Sequence, residues 1–142
     1  MDSGQSDTQY CSVPPLVGEC VAAGFPSPAE GLVERRLDLN ETLIRNPPST
    51  FFVRVAGDSM VDVGIRQGDL LVVDRAIEPR DKQIIVARWG EEFTVKRLRL
   101  WQGEVWLVPE NAEYSKLEVT GSPDFEIWGV VTGVVRSLLR PF

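Results

Sequence analysis

A chain of 142 residues is long enough to bury one sizeable core, and 43% hydrophobic with 25% charged residues are the proportions of a single globular domain. The 15 Lys and Arg against 21 Asp and Glu leave a formal charge of −6, a field that repels phosphate backbones and argues against direct sequence-specific DNA binding. The absence of histidine removes the usual general base, the usual zinc ligand and every Ser-His-Asp or Cys-His relay. No metal and no cofactor are therefore expected, and any chemistry has to find another base.

Residues 1–30, "MDSGQSDTQYCSVPPLVGECVAAGFPSPAE", carry four prolines and no sustained hydrophobic period. They read as an extended N-terminal arm. Their first twenty residues contain Asp2, Asp7 and Glu19 but no Lys or Arg, and no apolar run approaches the length of a membrane span. A soluble, cytoplasmic protein with no membrane association is expected. Cys11 and Cys20 both lie in the arm and give no disulfide framework. Residues 31–50 read as a connector with a short helical turn, Asn40 serving as N-cap and Asn46-Pro47-Pro48 ending it.

From 51 to 142 the text changes to short apolar runs, "FFVRVAG", "DLLVVD", "QIIVARW", "EFTVKRLRL", "EVWLVPE" and "FEIWGVVTGVVRSLL". Each is bounded by Gly, Pro, Asp or Asn, and the pattern predicts a mostly β domain of short strands and hairpins. "RWGEEF" predicts a tight hairpin through Gly90-Glu91. In "EFTVKRLRL" alternation puts Thr94, Lys96, Leu98 and Leu100 on one face and Phe93, Val95, Arg97 and Arg99 on the other. Lys96 thus keeps company with two leucines and is expected to point inward. Trp89, Trp101, Trp106 and Trp128 read as core or dimer-surface aromatics.

"VAGDSMVDVGIRQGDLLVVD" sets Ser59 on a glycine turn between two apolar runs. A serine hydroxyl is a weak nucleophile until a base takes its proton, and a lysine can be that base when its charged form is destabilised. Burial does this by stripping water from the ammonium. Bringing a lysine to neutrality near pH 7 takes about 4 kcal/mol, which a folded core can supply. The turn also offers backbone N–H groups to an oxyanion: that of Ser59 and that of a neighbour, Asp58 or Met60. Met60 is expected to pack beneath the turn. Asp58, Asp62, Asp69 and Asp74 match no calcium loop and read as turn and strand-end residues.

The stretches "AGFPSPAEGLVERRLDLNETLI", "GDSMVDVGIRQGDLLVVDRAI", "EFTVKRLRL", "VPENAEYSKLEV" and "WGVVTGVVRSL" strongly resemble, in this order, the LexA/UmuD family of self-cleaving proteins. The resemblance implies a LexA-like β domain with Ser59 as nucleophile and Lys96 as general base. It also implies cleavage of the chain's own Ala23-Gly24 bond in "VAAGFPSP". UmuD-type members typically carry Cys-Gly at that bond, whereas LexA-like members carry Ala-Gly. The implied setting is the SOS response: a homodimer, cleavage stimulated by a RecA nucleoprotein filament, and a shortened form that serves a UmuC-like translesion polymerase. A non-catalytic dimeric adaptor with a relic dyad, and a signal-peptidase-like enzyme acting on other proteins, are the rival readings. Phe25 and Pro26 are either contacts of the substrate pocket or anchors of the arm.

Overall fold

The computed structural model describes residues 14–17 and 33–142, which divide between an N-terminal unit ending at Thr42 and a second unit running from Leu43 to Phe142. In the first unit, strand β1 (Pro15–Val17) pairs antiparallel with β2 (Val33–Arg36). Neither strand was legible in the sequence: β1 falls inside the stretch read as an arm, and Pro15 is tolerated there as the first residue of a strand. Helix α1 (Leu39–Leu43) has five residues. The expected cap is displaced by two positions, because the Asp38 carboxylate accepts the N–H of Asn40 at 3.0 Å. Asp38 takes the capping role, since a carboxylate also suits the positive end of a helix, and Asn40 lies within the helix.

The second unit is a seven-stranded antiparallel sheet, so the mostly β expectation holds. Its strands are β3 (Thr50–Arg54), β4 (Leu70–Asp74), β5 (Ile84–Trp89), β6 (Glu92–Trp101), β7 (Glu104–Val108), β8 (Leu117–Glu118) and β9 (Phe125–Val135). Their order across the sheet is β3-β4-β9-β5-β6-β7-β8. The six predicted apolar runs each became a strand. Only the two-residue β8 escaped, being too short to show a period. The β5–β6 hairpin closes as expected, with Trp89 opposite Glu92 and Gly90 at φ 64°.

Two apolar clusters cover the sheet. One gathers Val55, Met60, Ile65, Leu71, Val73 and Val86; the other gathers Ile85, Ala87, Leu98, Leu107, Val119 and Val130. Strand β4 serves both faces, so Leu71, Val72 and Val73 are all fully buried. That explains its unbroken hydrophobic run, and burying each such side chain contributes about 2 kcal/mol.

The strand β9 lies between β4 and β5 and shifts register against both. The shifts leave Thr132 and Trp128 as extra, bulged residues. Gly129 sits at the second bulge, where a Cβ would stand 2.6 Å from Val73 Cγ1. The bulge turns Trp128 onto Phe93 at 4.9 Å and Phe51 at 6.3 Å, both edge-on, with Arg75 over its ring.

Candidate active site

The loop from Val55 to Asp69 leaves β3 and returns to β4, the neighbouring strand. Its apolar residues fold back over the sheet: Met60 is 2% exposed and packs with Ile65, Leu71 and Val86. Met60 thus lies beneath the turn as expected. Gly57, at φ 82°, begins the turn in a conformation open to few other residues, and a 3-10 turn over Val61–Val63 ends it at Gly64.

This anchoring holds Ser59 half-buried over the middle of β6. Its Oγ lies 3.0 Å from Lys96 Nζ. The amine also meets Thr94 Oγ1 at 2.7 Å and the Val95 carbonyl oxygen at 3.1 Å. Three contacts suit an ammonium, which donates to all of them. They suit a neutral amine equally well: its two N–H groups donate to Thr94 and Val95, and its lone pair faces the hydroxyl of Ser59.

Lys96 and Thr94 share a face, as alternation requires. The cleft around the amine is about 170 Å³ and is lined by Val53, Val55, Met60, Val86 and Val95 among others. The expected leucines are elsewhere: Leu98 is buried in the second cluster and Leu100 is 39% exposed. Lys96 points inward nonetheless. Burial among these valines lowers its pKa below the ordinary lysine value, because an ammonium there loses water.

The N–H groups of Asp58, Ser59 and Met60 donate to no acceptor among the described residues. The carbonyl oxygens of the same turn are occupied. Ser59 O accepts the N–H of Glu110 at 2.8 Å, and Asp58 O accepts Asn111 Nδ2 at 2.9 Å. Tyr114 donates its hydroxyl to Asp58 Oδ1 at 2.6 Å, and Glu110 pairs with Arg97, the residue after Lys96. Thr94 could have been found from strand alternation. Glu110, Asn111 and Tyr114 could not, since they reach the turn from more than fifty positions away.

Asp69 and Asp74 are structural. Asp69 is buried and accepts two hydrogen bonds from Arg136 and one from the N–H of Arg66, and the Arg136 guanidinium holds its carboxyl below the usual range. Asp74 receives Asn46, Ser49 and the N–H of Ala76. Ala23, Gly24, Phe25, Pro26, Cys11 and Cys20 lie outside the described residues. Among the described residues, no helix is long and apolar enough to cross a membrane.

Comparison with known proteins gives the family. The model of the Peptidase S24-like family matches residues 15–132. The SamA protein of Salmonella typhimurium is 46% identical over 125 residues, covering 88% of this chain and 86% of the relative. The MucA protein of Escherichia coli is 44% identical over 121 residues, covering 83% and 81%. A LexA repressor of Bordetella petrii is 43% identical over 135 residues, but these make up 95% of this chain and only 59% of the repressor.

Proposed function

This chain belongs to the Peptidase S24-like family, as a serine peptidase of the UmuD-like, SOS-response type, and we propose that Ser59 and Lys96 cleave its own Ala23-Gly24 bond. The observation that carries the reading is the 3.0 Å approach of Ser59 Oγ to a desolvated lysine amine.

Neutral Lys96 takes the proton of Ser59, and the alkoxide attacks the carbonyl carbon of Ala23. The charge that develops on the Ala23 oxygen is held by the N–H of Ser59 with that of Asp58 or Met60. Protonated Lys96 then gives its proton to the amine of Gly24 as the C–N bond breaks. Water attacks the acyl-serine, again with Lys96 as base, and frees Ser59. Thr94 and the Val95 carbonyl keep the amine oriented through both proton transfers.

A substrate in the same chain, or in a dimer partner, is present at high effective concentration. Control therefore rests on how often the scissile bond reaches the attack position. A RecA filament acts in this scheme by raising that population, and the shortened product, beginning at Gly24, forms a homodimeric accessory to a UmuC-like translesion polymerase. Residues 1–30 act as the substrate arm, 31–50 as connector and 51–142 as the catalytic and dimerisation domain. No direct DNA contact is needed, in keeping with the charge of −6.

Incubation with RecA filaments on single-stranded DNA tests this role. A new N-terminus at Gly24, formed faster with filaments than without and not at all by Ser59→Ala, supports it. An intact chain, with filaments and at high pH, would favour the non-catalytic adaptor.

A further inference from the structure

The turn that presents Ser59 is held from the side by a segment that contributes nothing to the dyad. We propose that Asn111 is a positioning residue that aims the N–H of Ser59 at the developing oxyanion, an inference that rests on the Ser-Lys peptidase reading above.

One peptide unit links Asn111 to the oxyanion donor. The carbonyl of Asp58 and the N–H of Ser59 belong to the same planar trans amide, so they point in opposite directions. Asn111 Nδ2 donates to that carbonyl at 2.9 Å, and the N–H of Val61 donates to it at 3.2 Å. Holding the oxygen on the Asn111 side turns the Ser59 N–H to the other side, where it has no acceptor among the described residues.

Asn111 is itself fixed in the required orientation. Its Oδ1 accepts the N–H of Glu113 at 3.0 Å, which leaves its NH2 group for Asp58. The neighbouring contacts form a frame around it. The N–H of Glu110 holds the Ser59 carbonyl at 2.8 Å, the Glu110 carbonyl takes the N–H of Asp62 at 2.9 Å, and Tyr114 holds the Asp58 carboxylate. Gly57, Asp58 and their neighbour Ala56 are exposed, so ahead of the anchoring Met60 the Asp58–Ser59 peptide is oriented by this frame. Preorganised donors matter because a donor that must reorient during the reaction stabilises the transition state less.

The test is the rate of conversion to the Gly24 product across pH 6–11 for wild type, Asn111→Asp and Asn111→Ala. Asn111→Asp keeps the acceptor for Glu113 but sets an oxygen against the Asp58 carbonyl. Asn111→Ala removes the donor without adding charge. Removing an oxyanion donor outright costs about 100-fold to 1000-fold, so misaiming one is expected to lower the high-pH plateau by about 10-fold to 100-fold in both variants. Asn111→Ala, which leaves Lys96 and its burial intact, is expected to keep the wild-type midpoint of the pH profile.

Thermal unfolding of each variant checks that the assayed protein is folded. Plateau rates within twofold of wild type, or an Asn111→Ala loss that appears only as a shifted midpoint, would overturn the positioning role while leaving the dyad standing. Folded wild type that never cleaves would remove the dyad reading and this proposal together.

Discussion

Lys96 Nζ stands 3.0 Å from Ser59 Oγ, although the two residues are 37 positions apart and their strands are not neighbours in the sheet. Ser59 follows β3, whereas Lys96 is in β6, with β4, β9 and β5 between them. The serine turn closes this gap by packing Met60 and Ile65 onto Leu71, Val73 and Val86. The same valine-rich packing that carries Ser59 to Lys96 keeps water from the amine. Assembly of the dyad and activation of its base therefore have one structural cause.

The pH dependence of cleavage follows from that burial. Desolvation lowers the Lys96 pKa below 10.5, so the fraction of neutral amine grows at a lower pH than for an exposed lysine. The first-order rate of self-cleavage is expected to rise with pH and to level off before pH 10.5. A rate that is flat from pH 7 to 10 would count against a lysine base.

Thr94 accepts a hydrogen bond from the amine at 2.7 Å. Removing this oxygen takes away support for the charged form and loosens the amine at once. Thr94→Val is expected to move the midpoint of the pH profile to lower pH and to reduce the plateau by about tenfold, through lost orientation. An unchanged midpoint would show that Thr94 does not support the charge.

Lys96 should also weaken the fold. Its lowered pKa means that the unfolded chain binds more protons than the native one between the native value and 10.5, so stability rises with pH across that window. Lys96→Met is expected to be inactive yet more stable at pH 7, by about 1 kcal/mol, as for other strained catalytic positions. The gain should shrink toward pH 10.5, and thermal melts at two pH values read it directly.

Asp69 stabilises in the opposite direction. Arg136 depresses its pKa, so its contribution is complete above the ordinary carboxylate value and is lost as pH falls through the lower native one. Asp69→Asn is expected to cost about 1.5–3 kcal/mol at pH 7, the range for hydrogen bonds to charged groups. Urea melts of both proteins should converge as pH falls through the depressed native value of Asp69.

Gly129 has no room for a side chain, with Val73 Cγ1 at 2.6 Å and Asp74 O at 3.1 Å from the position of a Cβ. Gly129→Ala is expected to destabilise by about 1–3 kcal/mol through overpacking at the bulge. An undiminished denaturation midpoint would mean that β4 and β9 separate more easily than their packing suggests.

Strands β3 to β7 and β9 were legible because β-branched residues and turn residues are local signals, and so was the shared face of Thr94 and Lys96, whereas β1, β2 and β8 are too short to show a period. The helix cap was misplaced by two residues because Asp38 and Asn40 are both good caps and only geometry chooses between them. The leucines expected beside Lys96 were an error of a different kind. Alternation fixes which face a side chain leaves from, but the cleft is lined by the serine turn, by the Phe93–Lys96 half of β6 and by Val53 and Val86 of β3 and β5, and it stops short of Leu98 and Leu100. The contacts of Glu110, Asn111 and Tyr114 had no sequence signal, since each depends on a long-range approach to the turn.

The dyad is tested most directly by the intact mass and N-terminal sequence of the purified chain after incubation at pH 7 and pH 10, with Ser59→Ala and Lys96→Ala in parallel. A new N-terminus at Gly24, appearing faster at pH 10 and absent from both variants, is the predicted result. Cleavage that persists in either variant, or a folded wild-type chain that stays whole at both pH values even with RecA filaments added, would contradict a Ser59-Lys96 self-peptidase.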